Sequence, residues 1–148
     1  MIARRNLLLI VLTAAAAPWL SAPSDAQSIV LIERGAPERT AILDVVRASV
    51  QRRLGIKVVF QVERLAVFGD WAFAGLRPRT VAGSRIDYRR TLYAKNFDPE
   101  QDSDTVDVLL RRQCATWAIV EEAFLPTDVV WEEWQQKYKL PRELFFVE

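Results

Sequence analysis

The sequence predicts an α+β domain: an N-terminal helix packed on a curved antiparallel sheet of about four strands, with a short C-terminal helix. Three observations predict it. Between Pro37 and Leu54 apolar residues recur every four positions. From Ile56 to Leu125 an apolar period of two takes over, broken by turn residues. After Pro126 helical spacing returns in Trp131, Trp134 and Tyr138.

The domain occupies residues 27–148, because residues 1–26 read as a cleavable signal peptide. Arg4 and Arg5 supply the positive start, and Leu7 to Ala17 is apolar except for one Thr. Ser24-Asp25-Ala26 then places small residues three before and one before a cut ahead of Gln27. The apolar run is shorter than the ~20 residues that span a bilayer, so no permanent membrane span is expected after cleavage. No Cys stands near the cut to carry a lipid, and the residues flanking the Arg pair fit the general secretory route better than the twin-arginine one. The expected location is periplasmic or secreted.

Ser28 to Ile32 is a short apolar run suited to a first strand or an N-terminal arm. Gly35-Ala36-Pro37 opens the helix, with Pro37 at its first position and Glu38 near the positive end of the dipole. Ile42, Val46, Val50 and Leu54 form its apolar stripe, and Gly55 ends it. Phe60, Val62, Ala66 and Phe68 then alternate toward Gly69-Asp70, a Gly-first pair that suits a two-residue hairpin turn. The return strand is Trp71 to Leu76, which sets Phe68 opposite Trp71 and Ala66 opposite Phe73. Phe60, Phe68, Trp71 and Phe73 are then expected on the face that meets the helix. Residues 77–105 are irregular, basic in the first half and acidic in the second, with room for a strand around Ile86 to Tyr93. Val106 to Arg112 and Thr116 to Leu125 make a second hairpin about Gln113-Cys114-Ala115. Thr127 is placed to cap a helix from about Asp128 to Tyr138, and Pro141 starts a last turn bearing Leu144, Phe145 and Phe146.

Composition excludes several functions. The chain has a formal charge of +1, and losing Arg4, Arg5 and Asp25 brings the domain to zero. A neutral domain lacks the basic field of a nucleic-acid binder. At about 120 residues it can bury a core without disulfides or metals. Its single cysteine, Cys114, allows no internal disulfide, though it leaves cross-linking of two copies open. The absence of His removes Ser-His and Cys-His nucleophilic sites and the usual zinc ligand. No cofactor is expected.

The order of helix, Val-Phe-Gly-Asp-Trp-Ala-Phe turn, irregular crossing, Leu109-Leu110-Arg111-Arg112 and Trp117-Ala118-Ile119-Val120-Glu121 resembles the NTF2-like or cystatin-like group of cone-shaped domains. In that group a curved antiparallel sheet wraps a helix. The resemblance covers roughly residues 36–125, and Cys114-Ala115 stands where the group often has a Gly pair. It implies either a binding module or an enzyme, since such folds host both.

Candidate sites each have a plainer explanation. Asp98, Glu100, Asp102 and Asp104 are spaced as in calcium loops but lack the Gly and Glu such loops require, which leaves a solvated acidic loop. Arg77, Arg85, Arg89 and Arg90, interleaved with Tyr88 and Tyr93, either bind an anionic envelope component or neutralise that acidic run. Trp131 and Trp134 either clamp the last helix to the sheet or meet a protein partner. Trp71 and Trp117 belong to the core. Asp70 and Asp87 are the carboxylates to consider as a buried base beside a tyrosine. The reading is an exported, non-catalytic domain that binds a protein partner or a small anionic ligand in the envelope. The alternative is an NTF2-like lyase, isomerase or hydrolase using a buried Asp and a Tyr.

Overall fold

A computed structural model describes residues 27–146; the signal segment expected over 1–26 lies outside the described residues. The predicted α+β arrangement is present, with five antiparallel strands in the order β1-β2-β3-β4-β5 rather than about four. The strands are β1 (Val30–Leu31), β2 (Val59–Phe68), β3 (Trp71–Arg79), β4 (Val106–Gln113) and β5 (Thr116–Phe124). Helix α1 spans Pro37–Leu54 and helix α2 spans Trp131–Tyr138. The extra strand is the expected N-terminal arm, which pairs Val30 with Val67 and Leu31 with Ala66.

Helix α1 has Pro37 in its first turn and ends at Gly55, left-handed at φ 72°, whose N–H reaches the Gln51 carbonyl at 2.8 Å. Ile42, Val46, Val50 and Leu54 are each 0% exposed. They pack on Ala72, Ala74 and Leu76 of β3 and on Val106, Val108 and Leu110 of β4. Fully burying a Val, Leu or Ile contributes about 1.5–3 kcal/mol, so this stripe is the main apolar tie between the helix and the sheet.

The first hairpin has the predicted turn: Gly69 takes φ 56°, Phe68 pairs with Trp71 and Ala66 with Phe73. The facing of its aromatics is different. Val62 pairs with Leu76 and Arg64 with Gly75, which leaves Glu63 as an extra residue in β2. One inserted residue exchanges the two faces of a strand. Phe60 and Val62 therefore join Leu65 and Val67 on the α1 side. Phe68, Trp71 and Phe73 lie on the opposite side, with Ala66 and Leu109. That second face is covered by Trp134, Leu140, Leu144 and Phe145 from α2 and the segment after it.

Three further expectations are corrected. No strand forms over Ile86 to Tyr93; the Asp87 carboxylate accepts the Arg89 N–H and sets a short 3₁₀ turn at Tyr88–Arg90. Only an isolated bridge, Arg79 to Arg85, joins this stretch to the sheet. Helix α2 begins at Trp131 rather than near Asp128, follows Val130, and has no side-chain cap from Thr127.

The second hairpin closes through Cys114 and Ala115 without glycine, with Gln113 paired to Thr116. Cys114 carries the positive φ, at 56°, and is exposed. A side chain in that region costs about 1–2 kcal/mol relative to glycine. Cys114→Gly is therefore expected to raise stability by about 0.5–1 kcal/mol, read as a higher urea midpoint with unchanged slope. Leu144→Ala is expected to cost about 2–5 kcal/mol in the same measurement, because Leu144 is 0% exposed.

Candidate functional site

The residues singled out in the sequence do not all share one cleft, although Arg85, Tyr88, Asp102 and Asp104 line one of about 250 Å³. Asp104 gathers several of them at the end of the sheet. Its carboxylate accepts from Arg79 Nη1 at 2.8 Å and from the Tyr88 hydroxyl at 3.2 Å, with Arg85 Nε at 3.6 Å and Arg77 Nη1 at 4.0 Å. Arg77 also pairs with Glu63, and that hydrogen bond holds its guanidinium above the usual range. Tyr88 is buried, and desolvation followed by the Asp104 charge pushes its hydroxyl well up. Arg89 and Arg90 are exposed on the 3₁₀ turn away from this pairing, and Tyr93 packs edge-on against Phe124. The arginine–tyrosine set is thus divided among an internal ion cluster, an exposed turn and the core.

The acidic run is also divided. Asp98 accepts the Glu100 N–H at 3.0 Å and Asp102 accepts the Asp98 N–H at 2.9 Å, so these two shape their own loop. Among the described residues no group of three His, Cys, Asp or Glu is arranged to hold a metal ion.

Trp134 is only 6% exposed and clamps α2 to the sheet; Trp131 is half-buried and stacks on Phe145 at 5.8 Å between ring centres. Both tryptophans thus help close the second face, with part of Trp131 left exposed. Trp71 packs there too, against Tyr138 at 4.9 Å, and Trp117 is buried on the α1 face. Asp70 and Asp87 are both exposed and are not buried bases.

Two features were missed in the sequence. The first is Asp107 on β4, opposite Gly75 of β3. It opens into a 300 Å³ cleft lined by Glu63, Arg64, Phe73, Gly75, Trp131, Phe145 and Phe146. Desolvation, then the nearby Glu63 charge, raises its carboxyl to about 6. No tyrosine lines this cleft; the Asp and Tyr that the structure does bring together are Asp104 and Tyr88, at the end of the sheet. Only the alternation of Val106, Asp107 and Val108 hinted that Asp107 faces away from α1. The aromatic cover over it comes from residues too distant in sequence to foresee.

The second is a groove of about 1060 Å³ between α1 and the outer edge of β2. Strand β1 leaves the sheet early: the Ile32 N–H bonds the Leu65 carbonyl at 3.0 Å, and the chain then turns toward α1. Among the described residues no strand pairs with the outer side of Val59 to Arg64. Leu65 points its backbone groups outward, and the bulge restores the same sense at Val62 and Phe60. Pro78, which has no N–H to give, stands opposite Phe60, consistent with an unbonded inner position there. Leu43, Phe60 and Val62 form the floor, while Arg34, Arg39 and Arg47 mix with Glu33 and Asp44 at the rim. No helix of the described residues is long and apolar enough to cross a membrane.

No family model, curated protein or solved structure with which the chain was compared matches it.

Asp107 gives a pH-dependent prediction. Its folded value is raised to about 6, whereas a free Asp titrates near about 3.9. The stability linked to its protonated form is full below about pH 4 and is lost as pH rises through about 6. Asp107→Asn is therefore expected to match the parent at pH 4 and exceed it by about 1–2 kcal/mol at pH 7.5, allowing for partial exposure. Denaturant titrations at the two pH values check this.

Proposed function

We propose that this chain is an exported, non-catalytic binding domain that takes an extended segment of a protein partner along the open edge of β2. The observation that carries this reading is the groove: unpaired backbone of β2 on one side, an α-helix on the other, and an apolar floor between them. An added strand gains main-chain hydrogen bonds from such an edge and specificity from alternate side-chain pockets. Phe60 and Val62 supply those pockets' floor, and the rim charges of both signs would set register.

The bulge at Glu63 fits a short guest. Bulges blunt an edge against long, indiscriminate pairing, and this one confines regular geometry to Val59–Val62. The edge of β5 is less suited, since Glu122 there is held by Ser49 and Arg53 of α1. The anionic-ligand version of the function has less support, because Arg77, Arg79 and Arg85 already face Asp104. The signal-like pattern of residues 1–26 supports export.

The test is selection of binders from a random decapeptide library against protein purified after expression of the full chain, followed by amide exchange of the complexes. Bound peptides are expected to protect the Phe60 and Val62 amides. Val62→Pro, which removes the outward N–H, and Thr40→Trp, which fills the groove from an exposed position on α1, are each expected to weaken binding at least about tenfold with an unchanged circular dichroism spectrum. Peptides that leave those amides unprotected, or bind Thr40→Trp as well as the parent, would overturn the reading.

A further inference from the structure

The Asp107 cleft lies on the opposite face of the sheet from the β2 groove, and its chemistry is different. A half-buried carboxylate makes no side-chain hydrogen bond or ion pair among the described residues, yet its oxygens are not sealed from solvent. It stands between a second carboxylate, Glu63, and aromatic walls from Trp131 and Phe146. We infer that this cleft is a binding site for a primary ammonium group on a short alkyl stem, with Asp107 as the counter-ion and Trp131 and Phe146 enclosing the stem.

Three observations favour this ligand class. First, Asp107 sits opposite Gly75, so no side chain from the neighbouring strand fills the space beside it. A Cβ built on Gly75 would lie 3.7 Å from an Asp107 oxygen and 3.5 Å from Phe73, ordinary contacts, so the room is left by residue choice and not demanded by backbone strain. Second, the two arginines nearest the carboxylates are turned to other work. Arg64 donates Nε to the Leu144 carbonyl at 2.9 Å and its Nη2 to the Glu143 carbonyl, and Arg77 is paired with Glu63. Third, the aromatic walls already attract a cation: the Arg142 guanidinium lies 4.3 Å from the Phe146 ring centre and 5.9 Å from that of Trp131. An anion would meet two carboxylates. A quaternary ammonium would suit the rings but offers no N–H to the carboxylate lone pairs, whereas a primary ammonium offers three.

Among the described residues, Glu63 and Arg64 of β2 are the charged groups that line the cleft with Asp107, and Arg142 lies over its aromatic walls. Glu63 raises the Asp107 carboxyl, while Arg64 is committed to backbone carbonyls. A bound ammonium opposes both desolvation and Glu63, so occupation is expected to lower the Asp107 titration midpoint.

The test is an NMR titration of the full-chain protein at pH 7.5 with n-butylammonium, alongside 1-butanol and tetramethylammonium. The expected result is saturable shifts at the Trp131 indole and Asp107 amide with butylammonium, at least about tenfold weaker with either control. Asp107→Asn is expected to abolish the response. Gly75→Ala, which keeps every charge and fits without a clash, is expected to weaken it several-fold. N-acetyl-lysine amide as a second probe distinguishes a lysine side chain from a free amine as the source: binding equal to or tighter than butylammonium points to a peptide. Equal binding of 1-butanol, persistence in Asp107→Asn, or no saturable shift in the parent would overturn the inference.

Discussion

The inserted residue in β2 is the constraint from which the rest of this structure follows. The strand has to serve α1 at both ends, with Phe60 and Val62 early and Leu65 and Val67 late. An uninterrupted period of two would send one of those pairs to the wrong side. Glu63 absorbs the mismatch, and Arg64 is thereby aimed at the opposite face. There it reaches the Leu144 and Glu143 carbonyls, the hydrogen bonds that tie the covering segment to the sheet. Burial makes the charged form of Arg64 harder to keep, lowering its affinity for the proton. Hydrogen bonds from a charged donor, about 1.5–3 kcal/mol each, offset that cost.

The two faces of the sheet then differ in kind. The α1 face is packed around the fully buried aliphatic residues Ile42, Val46 and Val50, joined by Trp117, Tyr88 and Phe124, and it opens where β1 departs and beside Tyr88. The second face is built from rings: Phe73 meets Phe145 at 5.1 Å and Trp131 meets Phe146 at 5.1 Å between centres. Flat, wide side chains cover a sheet without filling every recess, and the cleft over Asp107 is one recess they leave.

Much of the fold was legible in local pattern. The stripe from Ile42 to Leu54, the stop at Gly55 and the register set by Gly69-Asp70 are short-range signals, and each appears as read. The aromatic facing was not, because a bulge has no signature when the extra residue, Glu63, is itself polar and plausible on either side. The region from Ile86 to Tyr93 looked strand-like by composition, yet the Asp87 side chain captured a nearby backbone N–H and turned the chain. The arginine cluster was visible as charge, but its single internal partner, Asp104, could not be told from the other acids of its loop. The clefts were least legible of all, since Asp107 and Trp131, or Leu43 and Phe60, acquire meaning only when distant segments meet.

The tie between Arg64 and Leu144 joins residues 80 positions apart, and that separation makes the second core a late product of folding. The sheet can pair through short hairpins, whereas Ala66, Phe73 and Leu109 stay a bare apolar plane until the ring-bearing cover that ends at Phe145 arrives. Contacts of such long sequence separation close more slowly than hairpins. A chain caught with that plane uncovered is a client for whatever holds unfolded proteins in its compartment.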